Sequence, residues 1–174
     1  MPFDENPAAK GYAVWLMPAE PAFSLLAGAI SRLSREHSTP RFKPHITLLG
    51  RIVLREEKAL AKAALLARVL KPFRFELGNI GFLDDYFRSI FLTVVGDHSV
   101  SSAYRAACGI FYRQNAPYLP HISLIYGKLP VKTKQRVATG FSSLLDRTFQ
   151  VHQLMLTRVD GRVRQWKRIK AFDL

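Results

Sequence analysis

Tyr12 to Met17 is an unbroken apolar run closed by Pro18, which predicts a buried strand. Phe23, Leu26, Ile30 and Leu33 then recur at helical spacing, so a helix is expected from near Pro21 to just before His37. His37 to Pro40 reads as a loop. A second apolar run, Pro44 to Val53, predicts another strand, and Arg55, Glu56 and Glu57 open a helix to about Leu70, their carboxylates suiting its positive end. Phe73 to Phe82 and Phe87 to Val95 read as a hairpin around Asp84 and Asp85. Asp97 is positioned to cap a helix over Val100 to Tyr112, Tyr118 to Tyr126 is a strand, and Val131 to Leu145 is a helix with Val137, Phe141, Leu144 and Leu145 on one face. Two last strands, Phe149 to Arg158 and Arg162 to Phe172, flank a turn at Asp160 and Gly161.

The order strand, helix, strand, helix, strand thus begins again near Phe87. The run Pro44-His45-Ile46-Thr47-Leu48-Leu49 returns as Pro120-His121-Ile122-Ser123-Leu124-Ile125, and Trp15 and Phe91, Leu16 and Leu92, and Phe42 and Tyr118 share the same separation of 76 residues. A long unit present twice implies two similar lobes with pseudo-twofold symmetry rather than a solenoid, and symmetry would make the two histidine strands neighbours.

Composition changes this picture little and charge changes it more. With 174 residues and 48% hydrophobic content, the chain can bury one core and is read as a single domain, residues 1–174, made of two lobes. Disordered and collagen-like classes are excluded. Apolar stretches such as Ser24 to Ile30 and Ile90 to Val95 are far shorter than a bilayer span, and Met1 to Lys10 carries Asp4 and Glu5 with no secretory pattern, so no membrane and a cytoplasmic location are expected. The single Cys108 rules out an internal disulfide and, lying among Ala106, Ala107 and Gly109, reads as packing rather than as a nucleophile. The formal net charge of +13 points to polyanionic partners, and the last 47 residues hold 11 basic and 3 acidic residues.

In a strand, residues i and i+2 share a face, so His45 projects beside Thr47 and His121 beside Ser123. Facing lobes would bring two imidazoles and two hydroxyls into one cleft, a phosphate site. Splitting a cyclic phosphate requires a base for water and an acid for the leaving oxygen, roles two imidazoles can fill without metal or cofactor, while the hydroxyls hold nonbridging oxygens. His37-Ser38-Thr39 has the same spacing but lies in a polar loop, and His98 and His152 lack the hydroxyl, so none of these is assigned a role. Metal hydrolysis is the competing chemistry, but no ligand-spaced cluster accompanies the two histidines, and Asp84 and Asp85 read as solvated turn acids.

The two Pro-His-Ile-[Thr/Ser]-Leu strands resemble those of the 2H phosphoesterase superfamily. Ala13-Val14-Trp15-Leu16-Met17-Pro18, Pro40-Arg41-Phe42-Lys43-Pro44-His45 and Pro117-Tyr118-Leu119-Pro120-His121-Ile122-Ser123-Leu124-Ile125-Tyr126 resemble, within it, the plant and fungal type of cyclic phosphodiesterase. This resemblance implies a bilobal α+β fold, two antiparallel sheets lining a central cleft with helices outside. It implies hydrolysis of ADP-ribose 1'',2''-cyclic phosphate and nucleoside 2',3'-cyclic phosphates to a 1''-phosphate and a 2'-phosphate. It makes His45 and His121 the acid and base, either able to activate water with His121 expected to be the one that does, Thr47 and Ser123 the phosphate ligands, and Trp15, Phe87 and Tyr126 aromatics near base or ribose. The expected working unit is a monomer acting on a small cyclic nucleotide.

The chain departs from that type in its basic C-terminal hairpin, Arg158, Arg162, Arg164, Lys167, Arg168 and Lys170, which offers a positive rim to RNA ending in a 2',3'-cyclic phosphate. RNA-end processing, as in the bacterial and archaeal type of RNA 2',3'-cyclic phosphodiesterase, is therefore the enzymatic alternative. That type usually has Phe after the first histidine and Thr in both motifs, unlike Ile46 and Ser123. A nucleotide-binding module without turnover is the non-enzymatic alternative, against which two complete motifs argue.

Overall fold

The computed structural model describes residues 9–95, 98–140 and 148–174. Its elements follow the order β1 (Tyr12–Pro18), α1 (Ala22–His37), β2 (Ile46–Ile52), α2 (Glu56–Val69), β3 (Phe73–Phe82), β4 (Ile90–Val95), α3 (Ser99–Phe111), β5 (His121–Ile125), α4 (Val131–Thr139), β6 (Thr148–Arg158) and β7 (Lys167–Asp173). Asp97 as a cap, and Phe141, Leu144 and Leu145 on a helix face, lie outside the described residues.

The second and fifth strands begin later than the apolar runs suggest. Pro44 and Pro120 lack the N–H a ladder requires, so β2 starts at Ile46 and β5 at His121. Phe87 is not in a strand. The carboxylate of Asp85 accepts the backbone N–H of Phe87 and Arg88 and winds Tyr86–Arg88 into a 3-10 turn, so β4 starts only at Ile90. A second 3-10 turn, Val163–Gln165, likewise shortens the last strand.

Hydrogen bonding joins all seven strands into one antiparallel sheet in the order β1-β2-β5-β4-β3-β6-β7, and β6 also pairs with β1. Six strands thereby close into a ring with β7 on the outer edge of β6. The two sheets implied by the resemblance are replaced by two seams within one sheet. One seam is the single pair Ile46↔Ile122 between the histidine strands, and the other is the four-residue register Phe73–Glu76 against Thr148–Val151.

The repeat itself survives in the register. Trp15 pairs with Thr47 and Leu16 with Ile46 in the first half; Phe91 pairs with Ser123 and Leu92 with Ile122 in the second, each position 76 residues on. β1 shows how the faces divide. Tyr12, Val14 and Leu16 join the main core with Leu26, Ile30 and Leu33 of α1, whereas Ala13, Trp15 and Met17 point the other way, toward Met155, Val159 and Trp166. Both faces are covered, so all seven residues of β1 are buried. Phe23, expected beside Leu26, packs instead against the Trp15 cluster. The buried face of α2 is small, Ala59, Ala63 and Ala67 with Leu66, which lets it approach closely; Val100, Ala103, Ala107, Cys108 and Phe111 of α3 complete the core. Helices on one face of the ring leave the other for a cleft. No helix among the described residues is long and apolar enough to cross a membrane.

Candidate active site

The cleft is a cavity of about 590 Å³, within the range that holds a nucleotide-sized ligand. Strand alternation delivers His45, Thr47, His121 and Ser123 into it together, and Trp15, Phe87 and Tyr126 line it as well. Every site residue singled out from the sequence therefore meets in one place.

Both imidazoles are held in the same manner. His45 Nδ1 lies 2.6 Å from the Lys43 carbonyl and His121 Nδ1 lies 2.8 Å from the Leu119 carbonyl, again 76 residues apart. A carbonyl only accepts, so each Nδ1 carries the proton and each Nε2 keeps the lone pair, able to accept a hydrogen bond. The supporting rings are also related by the repeat: Trp15 stacks on His45 with centroids 3.7 Å apart, and Phe91 meets His121 edge-on at 5.2 Å.

The two are not electrostatically equal. Burial is the main cause that lowers His45 from 6.5 to about 4, with the charge of His121 adding to it and the Lys43 carbonyl opposing it. Burial also lowers His121, opposed by the Leu119 carbonyl and by Asp85 and assisted by Arg88. In addition, the Tyr126 hydroxyl donates to His45 Nε2 at 3.3 Å, whereas the corresponding position in the first half is Gly50, which has no hydroxyl to offer. Burial keeps the Tyr126 phenol protonated well above its ordinary range.

The hydroxyls differ too. Ser123 Oγ donates to the Phe87 carbonyl at 2.8 Å, so its proton must turn before it can reach an anion. Thr47, half-buried, lines the same cavity.

Three features are not visible in the sequence pattern. Trp166 packs against Phe87, Tyr126 and Trp15 with centroids 5.8 to 5.9 Å away, completing an aromatic wall; its one signal is a lone Trp within an arginine-rich segment. Asp85 is no solvated turn acid: besides capping the turn, it pairs with Arg88 at 3.1 Å and so sets Phe87 and Arg88 at the cleft. Lys10 and Arg51 bring further positive charge to the rim, and Arg51 adopts a φ of 53° where the second half has Gly127. Arg158, by contrast, is occupied elsewhere, donating to Glu56 and to the Tyr12 hydroxyl, both at 2.6 Å. Among the described residues, no group of three or more His, Cys, Asp or Glu converges in a way that would hold a metal ion. Cys108 is buried in the core, as its neighbours imply.

Comparisons with known proteins agree with this architecture. A cyclic phosphodiesterase from Arabidopsis thaliana is 28% identical over 174 residues, covering 94% of each chain. Escherichia coli LigT, solved with 3'-AMP, superposes with a TM-score of 0.66 at 15% identity over 95% of this chain and 98% of its own. A protein of Thermus thermophilus does so with a TM-score of 0.61 at 21% identity, over 94% and 97%. These two likenesses establish the fold. The family model described as cyclic phosphodiesterase-like protein matches residues 10–174, and this chain belongs to that family.

Proposed function

We propose that this protein is a hydrolase that opens nucleoside 2',3'-cyclic phosphates and ADP-ribose 1'',2''-cyclic phosphate by proton transfer between two histidines. One observation carries the reading: two imidazoles, each with Nδ1 fixed to a carbonyl, present Nε2 to a single cavity that also holds Thr47 and Ser123. In the reaction, a water oxygen bonds to phosphorus as its proton passes to one Nε2. The bond from phosphorus to the ring oxygen breaks as the other Nε2 protonates that oxygen, leaving a monoester: the 2'-phosphate from a nucleoside, the 1''-phosphate from ADP-ribose. Thr47 and Ser123 hold the nonbridging oxygens, and Arg88 adds positive charge where negative charge accumulates.

The protonation order argues for roles opposite to the expected ones, in which His121 activates water. His45 loses its proton more readily than His121, so the singly protonated pair is neutral at His45 and cationic at His121. His45 is then the base for water and His121 the acid for the leaving oxygen. The aromatic wall of Trp15, Phe87, Tyr126 and Trp166 offers stacking that accepts any base.

Phosphorus NMR with excess chelator tests this, with ADP-ribose 1'',2''-cyclic phosphate, a nucleoside 2',3'-cyclic phosphate and a short RNA ending in one supplied in parallel. Opening of the small substrates by the wild type is expected, with losses of about 100- to 10,000-fold in each of His45→Ala and His121→Ala. Retained activity in either variant would sink the two-histidine mechanism, and loss on chelation would revive a metal. Turnover of the RNA alone would move the assignment to RNA ends, a reading favoured by the net charge of +13. Silence from all three would favour a binding module.

A further inference from the structure

A second cavity, of about 230 Å³, adjoins the cleft and shares its walls Trp15 and Trp166. Arg41 and Lys43 enter it from the segment before β2, and Arg164 and Arg168 from the turn and strand at the C-terminal end. Among the described residues no acidic side chain lines it, and none of the four cations has an ion-pair partner. Four like charges from two distant parts of the chain, all on exposed side chains, give this cavity a positive potential that attracts an anion.

Two buried polar atoms make the same point independently. Thr157 is only 2% exposed, yet its Oγ1 has no hydrogen-bond partner, and the Nε1 of Trp166 is likewise buried and unpartnered. Both residues line this cavity. Leaving such groups unsatisfied is costly, and both are donors, the chemistry a phosphate oxygen completes once the side chain turns toward the cavity. The register of β6 against β7 shifts between Leu156 and Thr157, just where Thr157 comes opposite Arg168.

We infer that this cavity is a subsite for a second phosphate of the substrate, a group joined covalently to the one opened between the histidines. The inference rests on the proposed catalytic reading for its substrate but not for its site. Trp15, stacked on His45, forms the partition, and Lys43 lies two residues before His45, so one molecule reaching over the indole touches both cavities. The pyrophosphate of an ADP-ribose derivative and the next phosphodiester of an RNA end share this chemistry. Charge-assisted contacts of this kind, several per phosphate, raise affinity by about 10-fold or more.

The chain contains two tryptophans, both in the wall of the subsite, so intrinsic fluorescence reads binding without turnover. Adenosine 2'-monophosphate and adenosine 2',5'-bisphosphate are titrated into the wild type, Arg164→Ala/Arg168→Ala and Thr157→Val. The wild type is expected to prefer the bisphosphate by about 10-fold or more, with that ratio falling toward one in the arginine double variant and part of the way in Thr157→Val. An undiminished ratio in the double variant, equal losses for both ligands, or no preference in the wild type would overturn the inference. KM is then compared for ADP-ribose 1'',2''-cyclic phosphate, a dinucleotide ending in a 2',3'-cyclic phosphate, and adenosine 2',3'-cyclic phosphate. The substrate whose KM rises relative to the last, with kcat held, identifies which source the subsite serves. Bisphosphate preference in a protein that hydrolyses none of them would leave the subsite standing and the catalytic reading refuted; hydrolysis without preference would do the reverse.

Discussion

Lowering the pH from 7.5 to 4 should unload a measurable part of the fold through a single side chain. His45 is 5% exposed and titrates at about 4 in the folded protein, against 6.5 when the chain is unfolded. Above 6.5 both states hold it neutral, so nothing is lost there. Between 6.5 and 4 the unfolded chain takes up a proton that the folded protein refuses, so stability falls as pH falls, and the loss levels off once the folded form is also protonated. At about 1.4 kcal/mol for each pH unit, the interval corresponds to about 3 kcal/mol, a large share of the 5 to 15 kcal/mol typical of a domain. The assay is urea unfolding of the wild type and His45→Gln at half-unit steps, with the difference between the two proteins plotted against pH so that carboxylate titrations common to both cancel. The wild type should lose about 3 kcal/mol more than the variant between pH 7.5 and 4. A difference flat to about 0.5 kcal/mol across that range would refute the reasoning, since it would mean that burial does not hold the proton off His45.

On the proposed mechanism the same ordering sets the pH dependence of turnover. The kcat/KM profile should be a bell whose acid limb lies near 4, where His45 gains its proton, and whose alkaline limb lies below 6.5, where His121 loses its own; rate measurements that place both limbs above 6.5 would contradict this. Bound phosphate, being negative, favours both imidazolium forms, so the kcat profile should sit to the alkaline side of the kcat/KM profile in the same data. A 2',3'-cyclic substrate with sulfur in place of the 3' bridging oxygen leaves as a thiolate needing no proton, so it should rescue His121→Ala in a stopped assay and leave His45→Ala slow; the opposite pattern would exchange the two roles. At Gly81, a Cβ would lie 2.6 Å from the Phe91 ring that supports His121, so Gly81→Ala should cost about 1 to 3 kcal/mol by urea unfolding and lower kcat more than it raises KM.

Much of the architecture can be read from periodicity because its cause is local. β3 runs from Phe73 to Phe82 as the apolar pattern indicates, and the two histidine motifs announce themselves by repetition. Where the pattern misleads, the cause is either a proline or a carboxylate acting on a neighbouring backbone, or a meeting of distant segments. Asp85 turns Phe87 out of a strand through two hydrogen bonds, although composition treats it as an ordinary solvated acid. Arg41 is separated from Arg164 and Trp166 by most of the chain, and no window of sequence shows that the three border one cavity. The ring of strands is hidden for the same reason, because β1 and β6 close it from opposite ends of the chain.

The repeated register raises a question of direction. A pair of acid and base groups related by a twofold axis would accept a cyclic phosphate in either of two orientations and open either of its ester bonds, yielding a mixture of isomers. What breaks that degeneracy is whatever the second half does not copy from the first. Tyr126 fills the position where the first half has Gly50 and its hydroxyl meets His45, and Trp166 adds a further indole to the wall. On the proposed mechanism the histidines cut, and these unmatched aromatics select which bond is cut.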